Sequence, residues 1–341
     1  MSPPASPTSK PAPSLLRASL RRWFDSNSLL PSDQQDIDRI DWLRVIPFIL
    51  MHAACLGVLW VGVSEIAVFV ACALYLLRMF AITAFYHRYF SHRSFKTSRV
   101  VQFGFALLGS ASVQRGPLWW AGHHRNHHAH SDKPKDTHSP RQSGFIRSHM
   151  GWFLTRRNFL LRKDQVRDWL IYPELVFLDR FDTLVPILLA FSLYGLGIFL
   201  EAYYPAMGTN GFQMLVWGFF VSTVVLYHAT FTVNSIAHVW GSRRYETQDD
   251  SRNNALLALI TLGEGWHNNH HHYPGTVRQG FFWWEFDPTY WMLKIMALMG
   301  LVWDLRPLPE AWRQRDRLGP GRQHSTIHQS SGSRSGRRDD A

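Results

Sequence analysis

The hydrophobic positions of this chain are gathered into four long apolar segments, at residues 45–63, 66–86, 183–200 and 212–233. Three of them contain no formally charged residue, and the second contains only Arg78. A helix that crosses a bilayer needs about 20 such residues, whereas a helix at the surface of a soluble domain is apolar along one stripe. The pattern predicts four membrane-spanning helices, and buried core helices of a soluble protein are the alternative.

Basic residues are distributed unevenly around these segments. The connections 64–65 and 201–213 contain no Lys or Arg, whereas regions 1–44, 87–182 and 234–341 carry 6, 16 and 13 of them. Basic loops stay in the cytoplasm, so we expect both termini and the long central region to be cytoplasmic. The net charge of +11 is then explained by basic residues that lie at the membrane surface, where anionic lipid headgroups attract them. No nucleic-acid-binding motif accompanies these residues.

The ends of the chain differ in composition from its middle. Residues 1–36 are rich in Pro, Ser and Arg, and residues 313–341 have almost no large apolar side chain, so both are predicted to be disordered tails. Residues 37–312 form one predicted membrane domain. Its four spans carry a cytosolic part that we call the cap, residues 87–182 and 234–312.

Histidine is unusually abundant, with 18 residues that are mostly clustered. The clusters read HRYFSH at 87–92, HHRNHH at 123–128, NSIAH at 234–238 and HNNHHH at 267–272. All four lie in the cap. Imidazole binds zinc, copper, iron and nickel, so the clusters predict a metal site without selecting the metal. Their number suits two ions with four or five ligands each, because one zinc needs three or four.

Helical spacing indicates which imidazoles point together, because residues i, i+3 and i+4 lie within about 100° of one another. The sets that satisfy this rule are His124, His127 and His128, then His267, His270 and His271, and finally the pair Asn234 and His238. By the same rule His123 is an alternative to His128. His87 and His92 lie about 140° apart on an ideal α-helix, so they serve two different metals or straddle a local distortion.

Other residues near the clusters have less certain roles. Single histidines are expected to be ordinary surface or core residues, namely His52, His138, His149, His228, His324 and His328. His130 and His272 are expected to be neighbours of the site. Arg125 lies within the second cluster, where a cation beside a metal needs a carboxylate. The candidate partners are Asp132, Asp136 and Glu264.

In this order, the motifs resemble those of membrane fatty acid desaturases of the stearoyl-CoA (delta-9) type. The matching strings are HxxxxH at 87–92, HRxHH at 124–128, NSxAH at 234–238 and GEGWHNNHH at 263–271, and the likeness covers roughly residues 40–305. The resemblance implies an all-α integral membrane protein. Four transmembrane helices would support a cytosolic helical cap that holds a multi-histidine di-metal site.

The resemblance also implies a ligand set and a reaction. Two Fe²⁺ ions would be held by nine histidines and, through a water, by Asn234, with His123 outside the set. The nine are His87, His92, His124, His127, His128, His238, His267, His270 and His271. The expected reaction uses O₂ to insert a cis double bond, at the delta-9 position, into a long-chain acyl-CoA or acyl-lipid. No catalytic side chain beyond the metal centre and no further bound cofactor is expected.

Electrons for this reaction are expected to come from a separate protein. The chain has no glycine-rich dinucleotide loop and no haem-binding His-Pro-Gly-Gly sequence, which leaves a ferredoxin or a small cytochrome with its reductase. A di-iron hydroxylase of alkyl or lipid substrates is the alternative function, because its ligands would be the same. A membrane metal transporter or sensor would need ligands inside the spans, where only Arg78, His52 and His228 are ionisable. Arg78 is expected to line the route between the acyl tunnel and the cap.

Overall fold

The computed structural model describes residues 21–26 and 37–319, which are mostly helical. The main helices are α1 (Trp42–Val61), α2 (Glu65–Ser91), α3 (Arg99–Ser110), α4 (Pro117–His130), α5 (Pro173–Arg180), α6 (Leu184–Tyr203), α7 (Gly211–His238), α8 (Ala255–Ile260), α9 (His267–His272) and α10 (Pro288–Leu298). Short helical turns lie at Pro140–Ser143, Arg147–Gly151, Trp152–Leu154, Arg156–Phe159, Lys163–Gln165, Pro205–Met207 and Glu310–Gln314. Two short antiparallel strands, β1 (Lys96–Thr97) and β2 (Val302–Trp303), complete the fold.

Four helices, α1, α2, α6 and α7, are long and apolar enough to cross a membrane, as the hydrophobic pattern predicted. Each of the other three packs against α7. Polar residues set where the long helices begin and end. Ser64 Oγ accepts a hydrogen bond from Ala67 N at the start of α2, and Asn210 Oδ1 accepts one from Gln213 N near the start of α7. Gly62 ends α1 with a φ of 67°, a left-handed conformation that glycine adopts without strain.

The second half of α2 is a π-helix. The turn is α-helical to Phe80 and widens over Ala81–Ser91, and His92 N donates to His87 O at 3.2 Å. In this hydrogen-bond pattern residue i+5 lies above residue i, which an α-helix does not allow. Such segments recur at functional sites. Here the widened segment carries the first histidine pair from the spans into the cap.

A core of aromatic residues joins α2 to the cap helices. Phe85 of α2 stacks on Phe105 of α3, with ring centroids 3.8 Å apart. One turn further along α3, Gly109 leaves room for the buried ring of Tyr86. This close approach of α3 to the π-helical segment fixes the direction in which His87 and His92 project.

Parts of both predicted tails are ordered. Trp23 Nε1 donates to Leu43 O at 2.8 Å, and near the other end Tyr245 Oη donates to Arg313 O at 2.9 Å. These polar segments are held by hydrogen bonds between side chains and distant backbone carbonyls, and local composition does not reveal such contacts. The remainder of the predicted tails, residues 1–20, 27–36 and 320–341, lies outside the described residues.

Candidate metal centre

The fold gathers the nine histidines expected as ligands into two adjacent clusters. The five-histidine cluster consists of His87, His92, His124, His128 and His270. The four-histidine cluster consists of His127, His238, His267 and His271. Within each cluster, one ring nitrogen per residue lies within 4.8 Å of all the others. Each cluster is therefore compact enough to hold one ion.

The two HxxHH strings divide their imidazoles between the clusters. In α4, His124 and His128 belong to the five-histidine cluster and His127 to the other. In α9, His267 and His271 share the four-histidine cluster, whereas His270 belongs to the first. Residues i and i+4 lie about 40° apart on a helix, and residue i+3 lies about 60° to the other side. One helix can thus serve two neighbouring ions.

The π-helix decides the placement of the first histidine pair. His87 and His92 lie in the same cluster, with ring centroids 4.9 Å apart. Of the two alternatives, the structure shows the helix distortion, and it brings both rings into one cluster. The wider turn brings residues i and i+5 onto one face.

The ring nitrogens of the clusters lie very close together. In the five-histidine cluster, His270 Nε2 lies 3.0 Å from His87 Nε2 and 2.9 Å from His128 Nε2. In the four-histidine cluster, 3.0 Å separates His238 Nε2 from His267 Nε2. These separations are compatible with nitrogens that bind the same ion.

Carboxylates hold the opposite side of four of these rings. His238 Nδ1 donates to Asp132 (2.9 Å), His127 Nδ1 to Asp136 (3.0 Å) and His271 Nδ1 to Asp249 (2.6 Å). His87 Nδ1 contacts Glu264. A proton fixed on Nδ1 leaves the lone pair on Nε2, the atom that faces the cluster. Carboxylates in this position orient the ring and make it a better ligand.

Burial keeps most of the rings outside the spans neutral. The pKa of His124, and likewise of His92, His128, His267 and His270, is held well below its usual value by burial and then by neighbouring imidazoles. His127 differs. Burial also opposes its charge, but Asp136 outweighs burial and raises the pKa of His127. Neutral imidazole is the form that binds a metal.

Two orphaned nitrogens test whether a metal fits. Nε2 of His127 and Nε2 of His271 are buried and, within the part of the chain that the structure describes, have no hydrogen-bond partner. A buried polar atom without a partner costs free energy, of about 1–3 kcal/mol. Both atoms face the four-histidine cluster, and an ion there would satisfy them. The donor set therefore fits a transition metal.

The partner of Arg125 differs from those expected. Its guanidinium makes two hydrogen bonds to Asp168, at 2.8 and 3.0 Å, and further ones to Phe90 O and Ser91 O. The three candidate carboxylates instead bind imidazoles or, for Glu264, also Arg88. Arg125 follows His124 by one residue, about 100° around α4, so it points away from the clusters and ties the end of α2 to the cap.

Histidines outside the two clusters are held by other groups. His123 Nε2 donates to Leu160 O, His130 Nδ1 to Asn126 O and His272 Nε2 to Trp312 O. His138 stacks on His127 and, with Asp136, makes a third compact group with that residue.

Two single histidines of the bundle, His52 and His228, form a chain of hydrogen bonds with His149 of the cap. His52 Nε2 lies 3.2 Å from His228 Nε2, and His228 Nδ1 lies 3.0 Å from His149 Nε2. These imidazoles are therefore satisfied by one another, a role that sequence spacing did not suggest.

A small cavity of about 40 Å³ lies between the clusters. Its lining includes His87 and His124 of one cluster, His127 and His267 of the other, and Asn234. Asn234 thus lies where a water near both clusters would be within reach. This small space is where a reacting group could meet both ions.

A large apolar cavity of about 780 Å³ leads to this place from within the bundle. Trp120, His124, Thr230 and Asn234 line both cavities, so the large cavity ends at the clusters. Arg78 lines neither of them. It is fully buried in the bundle interior, where it donates to Ser222 Oγ (2.5 Å) and Thr223 Oγ1, so it does not line the route to the cap as expected.

A model of the family described as fatty acid desaturase matches residues 64–307. The chain belongs to the fatty acid desaturase family. It is 35% identical to sn-2 palmitoyl-lipid 9-desaturase of Nostoc sp. (strain 36) over 269 residues. These residues are 77% of this chain and 90% of the relative. As a desaturase it is an oxidoreductase, and its histidine clusters lie at the expected motifs.

Other desaturases are similar over somewhat less of their length. Palmitoyl-monogalactosyldiacylglycerol delta-7 desaturase, chloroplastic, of Arabidopsis thaliana is 37% identical over 253 residues, which are 73% of this chain and 64% of the relative. Acyl-CoA C20 Delta5-desaturase of Anemone leveillei is 34% identical over 240 residues, 70% of this chain and 72% of the relative. Both acyl-lipid and acyl-CoA desaturases are therefore among the similar proteins.

Proposed function

We propose that this desaturase uses O₂ to insert a cis double bond, at the delta-9 position, into a long saturated acyl chain. The observation that carries the proposal is the junction of the two cavities. An apolar space large enough for an acyl chain reaches His124 of the five-histidine cluster and there joins the small cavity, which imidazoles of both clusters line. The Nostoc relative is a palmitoyl-lipid 9-desaturase by name, which supports the position of the double bond.

We assign two Fe²⁺ ions to the clusters, with the nine histidines as ligands and Asn234 as a ligand through water. Iron with O₂ would supply the oxidant that removal of two hydrogens from an unactivated methylene pair requires. The substrate gives up two hydrogens, which are two electrons and two protons. A donor supplies two further electrons and the medium two further protons, and O₂ becomes two waters. Carboxylates on Nδ1 hold the imidazoles in place, and Trp120, stacked on His124 at 5.0 Å, covers the junction.

The electron donor is a separate protein, a ferredoxin or a small cytochrome with its reductase. We propose that the cap and both termini lie in the cytoplasm, a bilayer orientation that the distribution of basic residues supports. The clusters lie at the cap-side ends of α2 and α7 and in the cap, so a donor can approach from that side. A transporter would need its ligands along the spans.

Product analysis tests the function. The protein is expressed in a host that lacks unsaturated fatty acids, and double bonds are mapped in total lipid by mass spectrometry. We expect cis-9 unsaturated chains. Hydroxylated chains would instead indicate a di-iron hydroxylase, and unchanged lipid from a fully metal-loaded protein would contradict both oxidative functions.

A matched pair of variants tests the ligand set. His270→Ala removes a ring from the five-histidine cluster and should abolish product and lower bound iron. His324→Ala, which lies beyond the described residues and outside the motifs, should change neither. Iron per chain is measured by plasma mass spectrometry. Equal tolerance of the two substitutions would contradict the assignment.

A further inference from the structure

The two ends of the large cavity differ in the polarity of their lining residues, and this difference bears on how the acyl chain enters. Toward the cap, its lining includes Arg22, Trp23, Arg44, Arg115 and Asp182. Within the bundle, its lining is apolar and comes from α1, α6 and α7. A substrate whose headgroup is large and charged must enter through the first end, whereas a lipid acyl chain can use the second.

Residues 21–26 lie across the cap end of the cavity. Trp23 Nε1 donates to Leu43 O near the start of α1, while Ser26 N donates to Arg180 O at 2.9 Å. Asp25 accepts two hydrogen bonds from Arg180, at 3.0 and 2.8 Å. The segment is thus fastened to both α1 and α5. An acyl chain threaded from the cap side would have to displace it.

The charges at this end are already paired within the chain. The buried Arg22 contacts Asp41, and Arg44 Nε lies 4.0 Å from the same carboxylate. Arg115 Nε lies 2.8 Å from Asp182 Oδ2. Coenzyme A carries several phosphate charges, and phosphates are bound by cations that can reach them. To bind those phosphates, the guanidinium groups would have to break their ion pairs with buried carboxylates, and leaving a buried carboxylate unpaired costs free energy.

The large cavity is only partly enclosed, and the spans α1 and α6 both contribute to its lining. Leu50 of α1 and Ile187 of α6 line it, and they are 58% and 38% exposed. Both helices pack on α7 but have little contact with each other. Leu50 lies eight residues, about 12 Å, into α1, a depth at which lipid acyl chains surround the helix.

We infer that the acyl chain enters sideways from the bilayer, through the gap between α1 and α6, while it is esterified in a membrane glycerolipid. This inference rests on the proposed function and adds its acyl carrier and its path. The ester and headgroup stay at the membrane interface beside the paired charges of the cap end. The acyl chain fills the apolar cavity as far as the junction with the metal clusters.

Competitive binding tests the carrier without turnover. The purified protein is incubated with equimolar isotope-labelled distearoyl phosphatidylcholine and stearoyl-CoA, captured and washed, and the retained acyl species are quantified by mass spectrometry. We expect at least tenfold more lipid than thioester. Equal or greater retention of stearoyl-CoA would overturn the inference.

Tryptophan substitutions test the path. Leu50→Trp and Ile187→Trp narrow the gap and should each lower lipid retention and unsaturated product in cells at least fivefold. Leu59→Trp is the control, at another exposed leucine of α1 that does not line the cavity, and it corrects for lipid bound around the protein. It should change neither lipid retention nor unsaturated product. Unchanged retention in both narrowing variants would overturn the path. Specific lipid retention with no unsaturated product would support the path and contradict the proposed desaturation.

Discussion

Asp249 accepts a hydrogen bond from His271 Nδ1 at 2.6 Å and thereby turns His271 Nε2 toward the four-histidine cluster. Burial opposes the charge of this carboxylate, but His271 outweighs burial and keeps the pKa of Asp249 below its usual range. The carboxylate is therefore ionised at neutral pH. It holds the proton of the imidazole on the side away from the cluster.

We expect Asp249→Asn to weaken metal binding at the four-histidine cluster. The amide is a poorer acceptor and carries no charge, and loss of such a partner lowers metal affinity by about 10–100-fold. Competitive chelator titration measures the affinity. Asp304→Asn is the control, since Asp304 is exposed and pairs with Lys96. Unchanged affinity in Asp249→Asn would contradict the orienting role.

The pair Arg125–Asp168 should stabilise the cap. Asp168→Asn leaves the half-buried guanidinium without its charged partner, and we expect a loss of about 1–3 kcal/mol in the free energy of unfolding. Denaturant titration of the purified protein measures this loss. The exposed pair Lys96–Asp304 is the comparison, for which Asp304→Asn should cost at most about 1 kcal/mol. Equal small effects would show that the Arg125 pair contributes little.

Asp179 should make stability depend on pH. Burial raises the pKa of Asp179 to about 7, from an ordinary value of 3.8. Between these values the carboxyl is protonated when folded and ionised when unfolded, so stability falls as pH rises from about 4 to 7. The loss is on the order of 4 kcal/mol.

Asp179→Asn should remove this dependence, because an amide does not titrate in this pH range. The amide oxygen can still accept the hydrogen bond from Trp119 N, so the local structure should be kept. The difference in Tm between Asp179→Asn and the wild type should therefore grow in favour of the variant up to about pH 7 and then level off. A difference that stays constant with pH would contradict the raised pKa.

Two glycines of α3 should respond oppositely to alanine. A Cβ at Gly109 would meet the ring of the buried Tyr86, and overpacking of this kind costs about 1–3 kcal/mol. A Cβ at Gly104 meets nothing within 4 Å, so Gly104→Ala should stabilise the helix by up to about 1 kcal/mol. Thermal unfolding of the two variants measures both effects. A stabilising Gly109→Ala would show that α3 can shift away from α2.

The sequence by itself determined the four apolar helices and the histidines that come together. Apolar length predicts spans because a bilayer has a fixed thickness, and i, i+3, i+4 spacing predicts a shared face because an α-helix has a fixed pitch. Both signals are local. The motif order then indicated the family, which the comparisons confirmed.

Only the tertiary structure decided which histidine joins which cluster and which acid holds which ring. His87 and His92 meet because α2 becomes a π-helix, whereas their spacing left a local distortion as one of two alternatives. Asp249 reaches His271 from 22 residues away, and Asp168 reaches Arg125 from 43. Such pairs depend on how distant segments pack, and packing is a property of the whole fold.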